Sequence, residues 1–342
     1  MGRGPKLLNC LRSLASQRSG GDQDGRFEVL VGFDGPDALG AAAARDCWPT
    51  SLADQLRVVE CERCGLAAVR NRLLEFARGK VMISTNDDVL AAPEFVAAHW
   101  EAHEDARREG RVVVVSGSSP WVVHEPDRAF DRLIRETSMV FFYDQMAQSA
   151  IHNPQSAIDK DWGFRHAWGL NMSAPTGVVR EVGAFAVFPA WYGYEDNEIA
   201  FRIARRYNAK VIYRPRARAG HDHRMEPRGY LEREFKLGYA ALGFAKQAPE
   251  CARAMFNRDV HAAPELSYSR EFLRREEKGA ARTLTTFDKL AAMPANVFDG
   301  EHGATLRDLA YQQHLLLKRW MWRAGLVSAA ESRPITDIAW PA

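Results

Sequence analysis

Val81-Met82-Ile83-Ser84-Thr85-Asn86-Asp87-Asp88 is the stretch on which the fold turns. Its first half is a short apolar run that reads as a buried β-strand, and the strand runs straight into an Asn-Asp-Asp sequence. Upstream, residues 66–78 read as a helix closed by Gly79, the residue type expected just past a helix C-terminus. Before that come short strands at 56–60 and at 27–33, the latter ended by Asp34-Gly35-Pro36, and a helix at 6–16 with Leu7, Leu8, Leu11 and Leu14 on one face. Downstream, Pro93 opens a helix to about residue 108, and residues 112–115 form a further buried strand. Strands that alternate with helices and are too apolar to have a wet face predict an α/β fold with a mainly parallel sheet covered on both sides. Ligands bind such sheets beyond the carboxyl ends of the strands, so Asp34 and the Asp87-Asp88 pair are expected on one rim.

The second informative stretch is Trp191-Tyr192-Gly193-Tyr194-Glu195-Asp196-Asn197-Glu198. It sets two adjacent carboxylates at the start of a helix predicted for 197–207, behind an aromatic, glycine-containing turn. A helix N-terminus favours negative charge, and a carboxylate base suits deprotonation of a hydroxyl. Between the two stretches, residues 121–168 are irregular and rich in aromatics, among them Trp121, Phe141, Phe142, Tyr143, Trp162 and Trp168, and read as a substrate-facing insertion. A short helix is predicted at 178–182 and a last strand at 210–213. His221-Asp222-His223 follows in a loop, and the chain looks helical from 229 onward. The expected organisation is a domain over 1–225, halved near residue 115, with a helical extension over 226–342.

The bulk numbers narrow the function classes. Of 342 residues, 46% are hydrophobic and 26% charged, an ordinary globular composition, and a net charge of +2 gives no bulk attraction to nucleic acid. Five irregularly spaced cysteines argue against a disulfide framework and for a reducing compartment, and Cys61-x-x-Cys64 reads as two ordinary small residues rather than half of a zinc site. No apolar run is long enough to span a bilayer and no signal-peptide core is visible, which makes the cytoplasm the default location. In 306–327, Leu309, Leu316, Leu317, Trp320 and Met321 fall near one helical face beside Lys318, Arg319 and Arg323. That stripe suits peripheral contact with the inner face of a membrane. Packing over the core, or against a second copy in a homodimer, is the commoner use of such a face.

In order, the chain presents Asp34-Gly35 after a strand, Val69-Arg70-Asn71 on a helix and Asn86-Asp87-Asp88 after a strand. Asn171-Met172-Ser173, Val182-Gly183-Ala184-Phe185, Gly193-Tyr194-Glu195-Asp196 and His221 follow. This ordered set resembles the GT-A fold glycosyltransferases, most of all the inverting family 2, over roughly residues 6–223. The resemblance implies transfer of a sugar from a nucleotide-sugar donor to a hydroxyl on a glycan, glycolipid or glycoprotein, as in polysaccharide assembly. It implies that Asp34 contacts the base or ribose, and that Arg70 and Asn71 line the nucleotide and diphosphate. Asp88 would ligate a divalent metal with Asn86 and Asp87 completing the acidic motif, Asn171 would sit near the sugar, and His221 would face the diphosphate and complete the metal shell. Asp196 would be the catalytic base and Glu195 would orient or bind the acceptor. Trp191 or Tyr192, beside the base, would contact the acceptor. Carboxylate ligands suit Mg²⁺ or Mn²⁺, and an imidazole tilts the choice toward Mn²⁺.

Two departures from the family pattern stand out. The Asp-x-Asp motif has Asn86 in its first place, unless it is aligned from Asp87. The family's first, central strand would have to precede the helix at 6–16, and nothing ahead of Lys6 in this sequence supplies it. Taken singly, each motif also has a plainer reading: a turn at Asp34-Gly35-Pro36, a charged helix start at Glu195-Asp196, a loop cap at Asp87-Asp88, a solvated His221-x-His223 pair, a solvated Arg70. Two alternatives stay open, a nucleotidyltransferase and a non-catalytic sugar- or nucleotide-sugar-binding protein with a degenerate donor site.

Overall fold

The computed structural model describes residues 4–18, 27–152, 160–188 and 193–342. It divides into two compact units: one of residues 1–122, 141–187 and 195–223, the other of 123–140, 188–194 and 224–342.

The first unit is α/β. In chain order its elements are α1 (Gly4–Ala15), β1 (Val29–Asp34), α2 (Ala38–Cys47), β2 (Leu56–Cys61), α3 (Leu66–Phe76), β3 (Val81–Thr85), β4 (Val89–Ala91), α4 (Phe95–Arg108) and β5 (Val113–Ser118). With α5 (Ala129–Glu136) assigned to the second unit, α6 (Tyr143–His152), β6 (Asn171–Pro175), α7 (Thr176–Glu181), α8 (Glu195–Tyr207) and β7 (Lys210–His221) complete it. Local chemistry fixes the helix starts. Asp37 caps α2 by accepting from the Gly40 N–H at 2.8 Å, and Gly65, at φ +87°, turns the chain into α3. Helix α4 buries Phe95, Ala98, His99, Ala102, His103 and Ala106, a stripe at three- and four-residue spacing.

The strands are not mainly parallel, as the sequence suggested, but mixed. β1 and β2 form a parallel pair. The other five run in the order β3-β6-β5-β7-β4, and only β5 and β7 are parallel. Part of the reason is β6, whose Asn171-Met172-Ser173-Ala174 alternates polar with apolar residues instead of forming an apolar run, yet is buried throughout between β3 and β5 and antiparallel to both; the other part is the short β4, antiparallel to β7. Among the described strands, β1 pairs only with β2 and β3 only with β6. A groove of about 910 Å³, lined by Val29 and Leu30 of β1, Val81 and Ile83 of β3, and Leu73 and Phe95, lies against these two open edges.

β7 also runs further than residues 210–213. It passes Pro215 through a bulge, where Gly117 pairs with Arg214 but the next residue, Ser118, pairs with Arg218. A proline without an N–H is tolerated in a sheet at such a place. Beyond the bulge the strand pairs with β4 as far as Val89↔His221.

The second unit is helical: α5, α9 (Pro227–Gln247), α10 (Pro249–Phe256), α11 (Ala263–Ala291) and α12 (Gly303–Ala330). Helices α9 and α12 touch backbone to backbone. A Cβ on Gly238 would lie 1.8 Å from the Trp322 carbonyl oxygen, and one on Gly325 1.9 Å from that of Phe235. The stripe expected to suit a membrane is used inside this unit: Leu317, Trp320 and Met321 are buried, and Arg323 is paired with Glu265 at 2.7 Å. Of that segment's large apolar residues, Leu306 and Leu309 stay exposed. No helix among the described residues is long and apolar enough to cross a membrane.

Candidate active site

Two side-chain clusters of the first unit carry chemistry. The first is built by the β4–β7 pairing. Because Val89 pairs with His221, Asp88 arrives beside the end of β7, and the Asp222 N–H donates to the Asp88 carbonyl at 2.7 Å. The Asp88 carboxylate then faces two imidazoles, with Oδ1 3.6 Å from His221 Nε2 and Oδ2 3.3 Å from His223 Nδ1. One donor atom from each of the three lies within 4.8 Å of the others. Asp88 and His221 are buried, and both Asp88 Oδ1 and His221 Nδ1 are shielded from solvent with no hydrogen-bond partner among the described residues. Burial by itself would raise the Asp88 carboxyl pKa, but the two imidazoles overcome it and hold the group well below the usual carboxylate range. Burial pushes His221 down, against the pull of Asp88, toward the neutral, metal-ligating form.

A buried carboxylate oxygen without a donor is costly unless a cation reaches it. The donor set therefore fits a divalent metal, and one carboxylate with two imidazoles suits Mn²⁺ better than Mg²⁺. The sequence placed Asp88 and His221 here. His223 is the member of the triad it undervalued, and the signal was the His-x-His spacing, which in an extended chain turns both rings to one side. The two rings stack, with centroids 5.5 Å apart. Asn86 and Asp87 are half-buried alongside and stand outside the triad; the Asn86 carbonyl accepts from Cys10 Sγ at 3.6 Å.

The second cluster sits at the N-terminus of α8. Asp196 accepts from Arg70 Nη1 at 2.6 Å through Oδ1 and from the Gly169 N–H at 2.7 Å through Oδ2. Glu195 lies 3.6 Å from the same guanidinium, which packs over the Phe185 ring. A Cβ at Gly169 would come within 2.4 Å of both Arg70 and Asp196, so a larger residue there would displace the pair. The Gly169 carbonyl accepts from Ser84 Oγ at 2.9 Å, so the last residues of β3 hold the loop that holds the carboxylate.

Aromatic rings connect the clusters. Trp121 lies 4.3 Å from the His221 ring, Phe141 6.0 Å from His221 and 5.5 Å from Trp168, and Trp168 immediately precedes Gly169. Of the aromatics in 121–168, then, Trp121, Phe141 and Trp168 form a wall from the triad to the carboxylate. Tyr143 is buried behind it, 4.7 Å from Trp168.

Several residues expected at the donor do other work. Arg70 is turned to Asp196 and Glu195 rather than to a diphosphate. The Asn71 amide is spent on the Phe185 backbone, donating to its carbonyl and accepting from its N–H, both at 2.8 Å. Asn171 is wholly buried. Its Oδ1 accepts from His99 Nε2 at 2.8 Å, and its Nδ2 donates to the carbonyls of Ser118 at 3.1 Å and Ala217 at 2.9 Å. The reason is common to both asparagines: each amide satisfies backbone or ring groups that would otherwise be buried unpaired. Asp34 is exposed at the end of β1, with Oδ1 accepting from the Cys64 and Gly65 N–H groups. Trp191 and Tyr192 lie outside the described residues.

Comparison with known proteins bears on the family and the fold. Residues 2–166 match the sequence model of Glycosyl transferase family 2. A stretch of 100 residues is 33% identical to the uncharacterized glycosyltransferase YfnE of Bacillus subtilis (strain 168), covering 29% of this chain and 24% of that protein. The match thus spans about a quarter of the length of that curated relative. Among solved structures, the mannosyltransferase PcManGT of Pyrobaculum calidifontis, in complex with GDP-Man and Mn²⁺, superposes with a TM-score of 0.56 at 18% identity over 96% of this chain and 83% of that one, a likeness of fold. S. aureus TarS 1-349 gives a TM-score of 0.48 at 12% identity over 97% of this chain and 90% of that one.

Proposed function

We propose that this chain, whose residues 2–166 match glycosyl transferase family 2, moves a sugar from a nucleotide-sugar donor to an acceptor hydroxyl with inversion at the anomeric carbon. One observation carries the reading: a carboxylate–bis-imidazole triad and an arginine-held carboxylate stand at the two ends of one aromatic wall. Asp88, His221 and His223 would hold a divalent cation, Mn²⁺ before Mg²⁺, whose charge offsets that gathering on the leaving diphosphate.

The protein's own residues do the rest. The acceptor oxygen attacks the anomeric carbon as the bond to the diphosphate breaks, and Asp196 takes the hydroxyl proton. A carboxylate offers about four lone-pair sites; Arg70 and the Gly169 N–H use one on each oxygen, which fixes the plane of the group and leaves the other lone pairs for the acceptor. Trp121, Phe141 and Trp168 supply the apolar face for the sugar ring in between, and Glu195 steadies Arg70. The donor base would lie toward Asp34. The acceptor would be a glycan or a lipid- or protein-linked hydroxyl.

The test is nucleotide release from a panel of GDP-, UDP- and dTDP-sugars with Mn²⁺. GDP-mannose comes first, because the fold neighbour binds it. Turnover should fall about a hundred- to ten-thousand-fold in Asp196→Asn, the usual worth of a general base, while donor affinity holds. Donor binding without turnover by the wild-type chain would instead favour a non-catalytic nucleotide-sugar-binding protein.

A further inference from the structure

We infer that Asn171, oriented by His99, is a positioning residue that sets the metal triad by clamping the β7 bulge, an inference that rests on the metal reading proposed above. The bulge is what brings His221 to Asp88. Before it β7 follows β5, with Tyr213 on Ser116 and Arg214 on Gly117; after it the strand follows β4, with Ala219 on Ala91 and His221 on Val89. Residues 215–217 absorb the change. Bulges re-aim side chains next to functional sites, and their geometry has to be held from outside the ladder.

Asn171 does the holding. Its Nδ2 donates on one side to Ala217, the last bulged residue, and on the other to Ser118, the residue at which the register slips. Gly117 makes the reach possible, since a Cβ there would lie 2.3 Å from both the Ala217 carbonyl oxygen and Asn171 Oδ1.

The amide is in turn held in one orientation. With Nδ2 donating twice, Oδ1 is the acceptor, so His99 Nε2 carries a proton and its Nδ1 accepts from Ser173 Oγ at 2.8 Å. Ser173 Oγ accepts from His103 Nε2, also at 2.8 Å. Helix α4 thus fixes β6, and β6 fixes the bulge. Two residues before Asn171 stands Gly169, whose N–H holds Asp196, so one short segment serves both clusters.

The experiment compares Mn²⁺ affinity by titration calorimetry with thermal midpoint in four chains: wild type, Asn171→Ala, His99→Gln and Val114→Ala. Val114 is buried in β5 away from the bulge, so its truncation loosens the same sheet without touching the clamp. Asn171→Ala should weaken Mn²⁺ about tenfold, the low end of what supporting partners of a metal ligand cost. Val114→Ala should lower the midpoint and leave Mn²⁺ affinity within about twofold. His99→Gln, whose amide can still donate to Asn171 and accept from Ser173, should stay near wild type. If Asn171→Ala fails to fold, His99→Ala, which frees the amide without removing it, should show a loss greater than that of Val114→Ala. Unaltered Mn²⁺ affinity in a folded Asn171→Ala or His99→Ala chain, or an equal loss in Val114→Ala, overturns the clamp alone. A wild-type chain that takes up no Mn²⁺ overturns the metal reading and the clamp with it.

Discussion

Mild acid should destabilise this protein through the two histidines that bond to β6. His99 and His103 are buried and neutral, and their polar atoms are matched to Asn171 and Ser173 in a way that leaves no room for a second proton on His99. Burial therefore pushes His99 from 6.5 down to about 4, despite the stabilising contact with Asn171, and His103 down to about 3. In that window the unfolded chain binds protons that the folded chain refuses. Stability is therefore complete above pH 6.5 and lost as pH falls toward 4. At about 1.4 kcal/mol per pKa unit, the His99 displacement alone makes about 3 kcal/mol. His103 shares Ser173, so its share does not simply add.

The assay is urea denaturation followed by tryptophan fluorescence at pH 7, 6, 5 and 4, comparing wild type with His99→Gln, which keeps both hydrogen bonds and cannot titrate. Wild type should lose about 3 kcal/mol more than the variant between pH 7 and 4. The carboxylates of Asp88, Asp131 and Glu136 are held below their usual range, so their protonation adds to both chains only at the acid end of the series. Parallel stability curves for the two chains would refute the reasoning, because they would mean that His99 carries its charge without cost in the folded state.

Three further outcomes can be checked. Asp88→Asn removes the one carboxylate of the triad and should weaken Mn²⁺ by well over tenfold in calorimetry, with the β4–β7 pairing intact by circular dichroism. Arg70→Met leaves Glu195 and Asp196 without their shared cation. Breaking a buried pair costs about 3–5 kcal/mol, and because Asp196 is 21% exposed the denaturant-measured loss should fall near or below the lower end. Arg70→Lys should recover charge but not the fixed orientation of Asp196, leaving kcat depressed. Gly238→Ala drives a methyl into the Trp322 carbonyl and should cost more than about 3 kcal/mol by calorimetric melting. Gly279→Ala on α11, whose nearest neighbour is the end of Leu316 at 3.4 Å, should be neutral or gain up to about 1 kcal/mol from helix propensity.

Periodicity carried much of the α/β layout. Apolar runs marked β1, β2, β3 and β5, and a helical repeat marked α3, because these segments are mostly hydrocarbon, although Ser84 of β3 and Ser116 of β5 are buried too; α3 ends at Phe76 with Ala77 as its cap, short of the expected glycine. Of the two strands it did not find, β4 and β6, the second is the one whose buried side chains include Asn171 and Ser173. A strand that faces imidazoles on one side and a bulge on the other is polar for good reason, and binary patterning reads polarity as exposure. With β6 invisible, the antiparallel pairings it makes were invisible too, and a mainly parallel sheet was the default.

The same blindness decided which site residues could be read. A carboxylate is seldom buried without a cation, so Asp88 and Asp196 announced themselves by charge and by their places at a strand end and a helix start. Asparagine gives no such signal. Its amide can face a sugar or satisfy a buried carbonyl, and residue type does not distinguish the two; only the geometry showed Asn71 spent on Phe185 and Asn171 on Ala217. One clue was present all the same. His99 and His103 fall within the apolar stripe of α4, four residues apart, and a buried histidine needs a polar partner. Two of them on one face require a polar strand opposite. The Asn-x-Ser of β6 is the segment of this chain that answers them, with Ser173 between both rings and Asn171 beyond the first. The partly polar face of α4 and the partly polar strand β6 are thus two halves of one constraint. That constraint lies directly beneath the bulge that aims His221 at Asp88, which is where a sheet that must hold a buried carboxylate steady has most use for rigidity.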